Sequence, residues 1–176
     1  LSDLGIDFEK FYTEYDFDYF KNRKLYTGVY FNKATDGVSQ IVKNVPTFRY
    51  DLTYKESIKP DNIQRVASQM PISEQSKEEF IRLFLDQTDF FPELSLEDKY
   101  YVLDNISYED YLRNYHKVGE EVIGLFHSLL WGLWGVGNDS IPAASCWGDG
   151  LPGFAGLGFT DDEEPSDELN YEENPM

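Results

Sequence analysis

A glycine pattern, two imidazoles and one thiol are the groups in this chain whose types and spacing could do chemistry. Gly148-Asp149-Gly150-Leu151-Pro152-Gly153 satisfies the letter of G-x-G-x-x-G, with Asp167 and Glu168 near the distance of a ribose-binding acid. Such a loop cradles a pyrophosphate only when it leaves a buried strand and opens a helix. Here 143–147 has helical character, and Pro152 followed by Gly153, Gly156 and Gly158 cannot sustain a helix. The expected role is therefore a glycine-rich turn packed closely on a neighbour, not a nucleotide fingerprint.

Nucleophilic and metal chemistry find little support. No G-x-S-x-G is present, and Cys146 has no basic residue near it in sequence to lower its pKa, so a buried structural thiol is expected. His116 and His127 are eleven apart, about three helical turns, but Gly119 interrupts a shared face. Each reads as a hydrogen-bonded histidine rather than a catalytic base. With one thiol they are too few for a closed tetrahedral zinc site.

The elements that would position these groups make an α+β fold, a mainly helical layer with one β-hairpin. Phe8, Phe11, Tyr12 and Tyr15 recur at helical spacing behind Asp7 as N-cap, and a further turn follows through Phe17 and Phe20. The period then changes to strands over 26–31 and 38–42, joined through Asp36-Gly37. Residues 44–59 read as irregular with one short strand. Helices are expected over 60–69, over 73–87 with Ser73 as N-cap, and over 95–105 with a Ser95/Asp98 capping box, a spacing that Ser107 and Asp110 repeat. The apolar run 120–133 should be the central helix. Asp139, ahead of Ser140-Ile-Pro142, could start another.

Composition sets further bounds. A chain of 176 residues suits one domain, burying roughly 70% of its unfolded surface. Acids number 33 against 15 bases, a formal charge of −18, so nucleic-acid phosphates would be repelled. The stretch 118–134 is broken by Gly119, Glu120, Glu121, Gly124 and His127, so no membrane span is expected and the chain reads as soluble. From Asp161 onward acids crowd together without a base, which reads as an extended or disordered acidic tail. The chain opens at Leu1 without a leader and is expected to be a piece of something longer.

One block stands out: 129–158, reading L-L-W-G-L-W-G-V-G-N-D-S-I-P-A-A-S-C-W-G-D-G-L-P-G-F-A-G-L-G. Together with Leu4-Gly-Ile-Asp7, Thr27-Gly-Val-Tyr-Phe31 and Ile106-Ser-Tyr-Glu-Asp-Tyr-Leu112, it resembles the interior of spermidine dehydrogenase-like, FAD-dependent amine oxidoreductases. Those proteins carry phrases such as L-G-I-D, G-V-F-F-D, I-S-Y-x-D-F-L and G-V-G-x-D-x-x-P-A…W-G-x-G-x-P-G-F-x-G-x-G in the same order. Asn32 stands where an acid is usual, and residues 44–60 are hard to match.

The resemblance implies a monoamine-oxidase-type architecture, of which residues 1–160 would be a partial substrate-binding domain and 161–176 the acidic tail. It implies FAD as cofactor of the parent protein, allows a haem beside it, and implies that no cofactor is bound by this chain alone. The partners implied are a small amine substrate and the remaining segments of the parent flavoprotein. Through the twin-arginine signal of related dehydrogenases, the periplasm is implied as well. The function implied is part of an oxidoreductase that passes hydride from an amine, a polyamine such as spermidine, to flavin, inactive in isolation.

Flavin oxidation takes hydride from the carbon beside a neutral nitrogen, and any other ammonium of a polyamine must be held by carboxylates or aromatic faces. Trp131, Trp134, Asp139, Trp147 and Asp149 are the candidate substrate-binding residues on that reading. Packing is the ordinary use of tryptophans at a glycine-rich junction. The isolated surface is expected to expose apolar area where flavin segments would cover it. A second reading stays open: a stand-alone acidic module that binds a cationic partner or small amine without catalysis.

Overall fold

The computed structural model describes residues 4–7, 9–14, 16, 19–33, 37–49 and 54–160, without the side chains of Glu9, Phe11, Tyr12 and Lys21. The expectations for Phe8, Tyr15, Phe17, Asp36 and the acidic tail fall outside the described residues, as do those for the side chains of Phe11 and Tyr12. Among the described residues the fold is α+β, helices with one antiparallel pair of strands.

Two short helices, α1 (Glu9–Glu14) and α2 (Tyr19–Asn22), precede the hairpin of β1 (Gly28–Phe31) and β2 (Gln40–Lys43). Val29 faces Val42 and Phe31 faces Gln40 across the ladder. Alternation puts Phe31 and Val42 in the core and leaves Tyr30 and Ile41 58% and 62% exposed on the outer face. Residues 44–49 form no strand, and Tyr54–Ser57 makes a helical turn, α3, where irregular chain was expected.

Helix α4 (Pro60–Gln69) opens on proline, whose missing N–H costs nothing at a helix start, and buries Ile63, Val66 and Ala67 at i, i+3 and i+4. It also covers the outer edge of β2, because Arg65 Nη2 donates to the Lys43 carbonyl and Asn62 Nδ2 to that of Asn44. Helix α5 (Glu74–Leu85) starts as expected, with Ser73 Oγ accepting the N–H of Ser76. It ends at Leu85, short of residue 87, because Asp86 Oδ1 takes both the N–H and the hydroxyl of Thr88 and turns the chain out of the helix.

Ser95 caps α6 (Leu96–Asp104) and Ser107 caps α7 (Tyr108–Tyr111), each through the N–H three residues on. The chain then widens into a π-helical turn, Leu112–His116, which the spacing did not predict. A regular helix would bury positions 108, 111, 112 and 115; the extra residue of the wide turn brings His116 inward in place of Tyr115.

Helix α8 (Glu120–Trp134) runs between caps at Gly119 and the left-handed Gly135. Its entry is locked to α5 from both sides: Glu79 Oε2 accepts the Gly119 N–H, and Glu121 Oε2 accepts from the backbone and hydroxyl of Ser73 and the hydroxyl of Ser76. These donors hold the Glu121 carboxyl below its ordinary pKa. Although α8 was expected at the centre, only one face is: Val122, Ile123, Phe126 and Leu130 are buried, while Gly124, Ser128 and Trp131 to Trp134 are exposed. Among the described residues no helix is long and apolar enough to cross a membrane.

The next helix, α9 (Ala143–Gly148), begins after Pro142 and not at Asp139. The reason is tertiary. Tyr108 N–H donates to Ile141, Ala143 N–H to Ile106 and Glu109 N–H to Asn138, so the turn at 138–140 and the bridge at Pro142 are pinned beside the start of α7.

Candidate functional site

The glycine-rich segment after α9 is fastened down from several sides. Tyr108 Oη donates to the Pro152 carbonyl at 2.9 Å and Tyr111 Oη to the Gly153 carbonyl at 2.7 Å. Burial raises both phenols well above their ordinary pKa, so they remain donors. Lys99 Nζ, itself buried, joins the Leu157 carbonyl to the Asp89 carboxylate, which it holds below the usual carboxylate range. Tyr54 donates to the Gly150 carbonyl, and Arg49 reaches the carbonyls of Trp147 and Asp149.

These contacts decide how the G-x-G-x-x-G letters can be used. The segment leaves a helix, α9. A Cβ at Gly150 would stand 2.7 Å from Arg49 Cβ, and one at Gly153 would stand 3.0 Å from His116 Nε2. The space that glycines leave for a pyrophosphate in a dinucleotide fold is taken here by protein, so the loop does not fit FAD. Cys146, at the core end of α9, is fully buried, and burial first and Asp149 second push its thiol pKa up, which is the opposite of nucleophile activation. Among the described residues no group of three or more His, Cys, Asp or Glu is placed to hold a metal ion.

His116 belongs to the same fastening. Its Nε2 lies 2.8 Å from the Gly153 carbonyl, which can only accept, so Nε2 carries the proton. Nδ1 is buried and has no hydrogen-bond partner. Burial lowers the His116 pKa, against the smaller opposing pull of the Gly153 carbonyl and the Asp86 carboxylate; Arg82, which donates to the His116 carbonyl, adds to the lowering. The sign of the pH effect follows. The unfolded chain takes up this proton first, so the stability is whole above about pH 6.5 and is lost as pH falls from there toward the lower folded value. Urea midpoints measured from pH 8 to pH 5.5 should therefore fall more steeply for the natural chain than for His116→Gln. Parallel profiles would refute the assignment.

Of the sequence-predicted residues, the structure joins Trp134 and Asp149. The indole Nε1 donates to Asp149 Oδ2 at 3.0 Å, across the junction between α8 and α9. Trp131, one turn earlier, is 62% exposed and Trp134 is 53% exposed; Leu133 and Val136 are exposed beside them. Trp131 is held edge-on by His127, with ring centroids 5.7 Å apart. His127 Nδ1 donates in turn to Asn138 Oδ1, and the buried Asn138 donates to the Ile123 carbonyl. The approach of His127 requires Gly137, where any Cβ would overlap the ring. Trp147 is turned inward against Tyr100 and Phe159. Asp139 is exposed on the turn after α8.

A second feature was not foreseen. An open groove of about 550 Å³ lies between β1 and α8, lined by Val29 to Asn32, Pro71 and Ile72 on one side and Glu120, Gly124 and Ser128 on the other. The signal for it was present in the sequence, in the small and acidic residues at 120, 124 and 128 that fall on one stripe of an otherwise apolar helix. No model of a known protein family matches this chain, and a search of curated proteins finds no match either.

Proposed function

We propose that this chain is the amine-recognising part of an FAD-dependent amine oxidoreductase, with the flavin held by other polypeptide. The observation that carries the reading is the pairing of Trp134 with Asp149 beside the exposed Trp131. Indole faces and a carboxylate are the two kinds of group that attract an alkylammonium, and here both kinds stand at one surface on the ends of two helices. The reading is also supported by the way the resembling phrases cohere: 106–112 and 135–158 are joined through the backbone bonds at Ile106 and Ile141 and through the Tyr108 and Tyr111 hydroxyls. Their joint occurrence then has a packing reason. The residues are assigned binding and orientation of an amine, and no redox step is routed through them.

Tryptophan emission tests the assignment. Spermidine added to the purified chain should change the emission of Trp131 and Trp134 saturably, and Asp149→Asn should weaken binding by about tenfold, the loss of one charged partner. Equal affinity of Asp149→Asn, or no saturable change with spermidine, would overturn the amine site. The chain should also retain no flavin band after incubation with FAD and desalting. A retained equivalent of flavin, bleached by spermidine, would overturn the assignment of FAD to other polypeptide.

A further inference from the structure

The two edges of the hairpin are not alike. Antiparallel pairs alternate between residues that exchange hydrogen bonds and residues whose N–H and C=O point away from the partner strand. The phase is set by Asn44 N–H, which donates to the Thr27 carbonyl at 2.7 Å. Counting along the register, Val29/Val42 and Phe31/Gln40 are bonded pairs, whereas Gly28/Lys43 and Tyr30/Ile41 point outward. The Lys43 carbonyl, which Arg65 takes from outside, agrees with this phase. So β2's outer edge is covered by α4, while the outward N–H and C=O groups of Gly28 and Tyr30 lie on the edge of β1.

Among the described residues β1 pairs only with β2. Val29 to Asn32 line the groove consecutively, residues of both faces of the strand and none of β2, so the border they make is the edge of β1 away from β2, with α8 opposite. At ~3.3 Å per residue the strand presents about 13 Å of unpaired edge. Across from it, α8 offers Gly124, where an added Cβ would meet nothing within 4 Å, and Ser128. A helix with small residues facing an open strand edge leaves room for another strand between them.

We propose that this groove binds an extended, cationic polypeptide segment, which adds to β1 as a third strand. Two observations choose that occupant. Outward donors and acceptors alternating along a strand are matched in spacing by the backbone of another extended chain, which a small amine cannot supply. The charge selects its side chains: Glu120 and Glu121 line the α8 wall, Glu120 being 78% exposed while paired with Arg113, and the whole chain carries −18. The same charge opposes pairing of two copies edge to edge. The groove lies along the first half of α8 and the tryptophan–aspartate pair at its far end, so this inference does not rest on the amine reading.

The probe is a fluorescein-labelled heptapeptide alternating valine or threonine with lysine, capped at both ends, followed by anisotropy. Saturable binding is expected, weakened about tenfold by Gly124→Leu, which fills the groove on an exposed helical position that tolerates leucine. A similar loss is expected for a probe N-methylated on alternate backbone nitrogens, which leaves the protein untouched, and for a probe with glutamate in place of lysine. Asp149→Asn should leave the affinity unchanged, which separates failure here from failure of the amine site. Tyr30→Pro removes an outward N–H, together with the Tyr30 Oη–Ser39 Oγ hydrogen bond of the hairpin, and should also weaken binding. Absence of saturable binding, undiminished binding of the N-methylated or acidic probe, undiminished binding to Gly124→Leu, or a peptide-independent dimer in sedimentation would overturn the proposal.

Discussion

Gly156→Ala should cost this chain about 2–4 kcal/mol, a large share of the ~5–15 kcal/mol that holds a single domain folded. A Cβ at position 156 would stand 2.4 Å from the carbonyl carbon and oxygen of Gln87 and from the Thr88 oxygen. Those are backbone atoms, so no rotamer relieves the overlap. The segment that would have to yield is held on both flanks, by the Asp86 turn onto Thr88 and by Lys99, which ties Asp89 to the Leu157 carbonyl. Gly132, on the exposed face of α8 with open space around it, is the control: alanine there should gain about 0.5–1 kcal/mol. Urea unfolding followed by circular dichroism measures both. Equal midpoints for Gly156→Ala and the natural chain would show that the glycine loop does not bear on the α5–α6 connection.

The second large effect is at the buried tyrosines, and its pattern is more telling than its size. Tyr111 is fully buried, stacked on Phe154 with ring centroids 5.0 Å apart and edge-on to Phe90 and His116. Tyr111→Ala opens a ring-sized cavity and should cost about 3–5 kcal/mol. Loss of the hydroxyls alone should rank the two tyrosines. In Tyr111→Phe the Gly153 carbonyl keeps the His116 N–H, so the loss is about 1 kcal/mol; in Tyr108→Phe the buried Pro152 carbonyl loses its hydroxyl donor, and about 1–3 kcal/mol goes with it. Differential unfolding of the two Phe variants at pH 8 decides the order. A larger cost for Tyr111→Phe would contradict the shared anchoring of Gly153.

These contacts also explain which parts of the fold could be read in the sequence. Ser73, Ser95 and Ser107 announce their helices because a cap is completed within three residues. The hairpin was legible from its concentration of β-branched and aromatic residues, whereas the alternation of burial along 28–31 and 40–43 shows only in the structure. Elements set by distant partners were not legible. The start of α9 moved from Asp139 to Ala143 because Ile106 and Tyr108 take the intervening backbone, and the π turn at 112–116 delivers His116 to a carbonyl 37 residues away. The same limit applied to the candidate site. The residue types at 131, 134 and 149 suggested cation binding, but only the approach of the end of α8 to the end of α9 tells Trp134, which meets Asp149, from Trp147, which is packed inside.

The fastening of the glycine loop bears on the order in which the molecule can be made. Tyr54 meets Gly150 across 96 residues, Arg49 meets Trp147 across 98, and Tyr108 meets Pro152 across 44. A chain leaving the ribosome exposes α4, α5 and α6 long before the loop that shuts them together has been synthesised. Until Leu157 emerges, Lys99, Tyr108, Tyr111 and His116 lack the carbonyls that satisfy them. Closure is therefore a late event that pays the entropy of a long loop in a single step. During translation α4, α5 and α6 therefore carry exposed apolar faces until the glycine loop arrives to close over them.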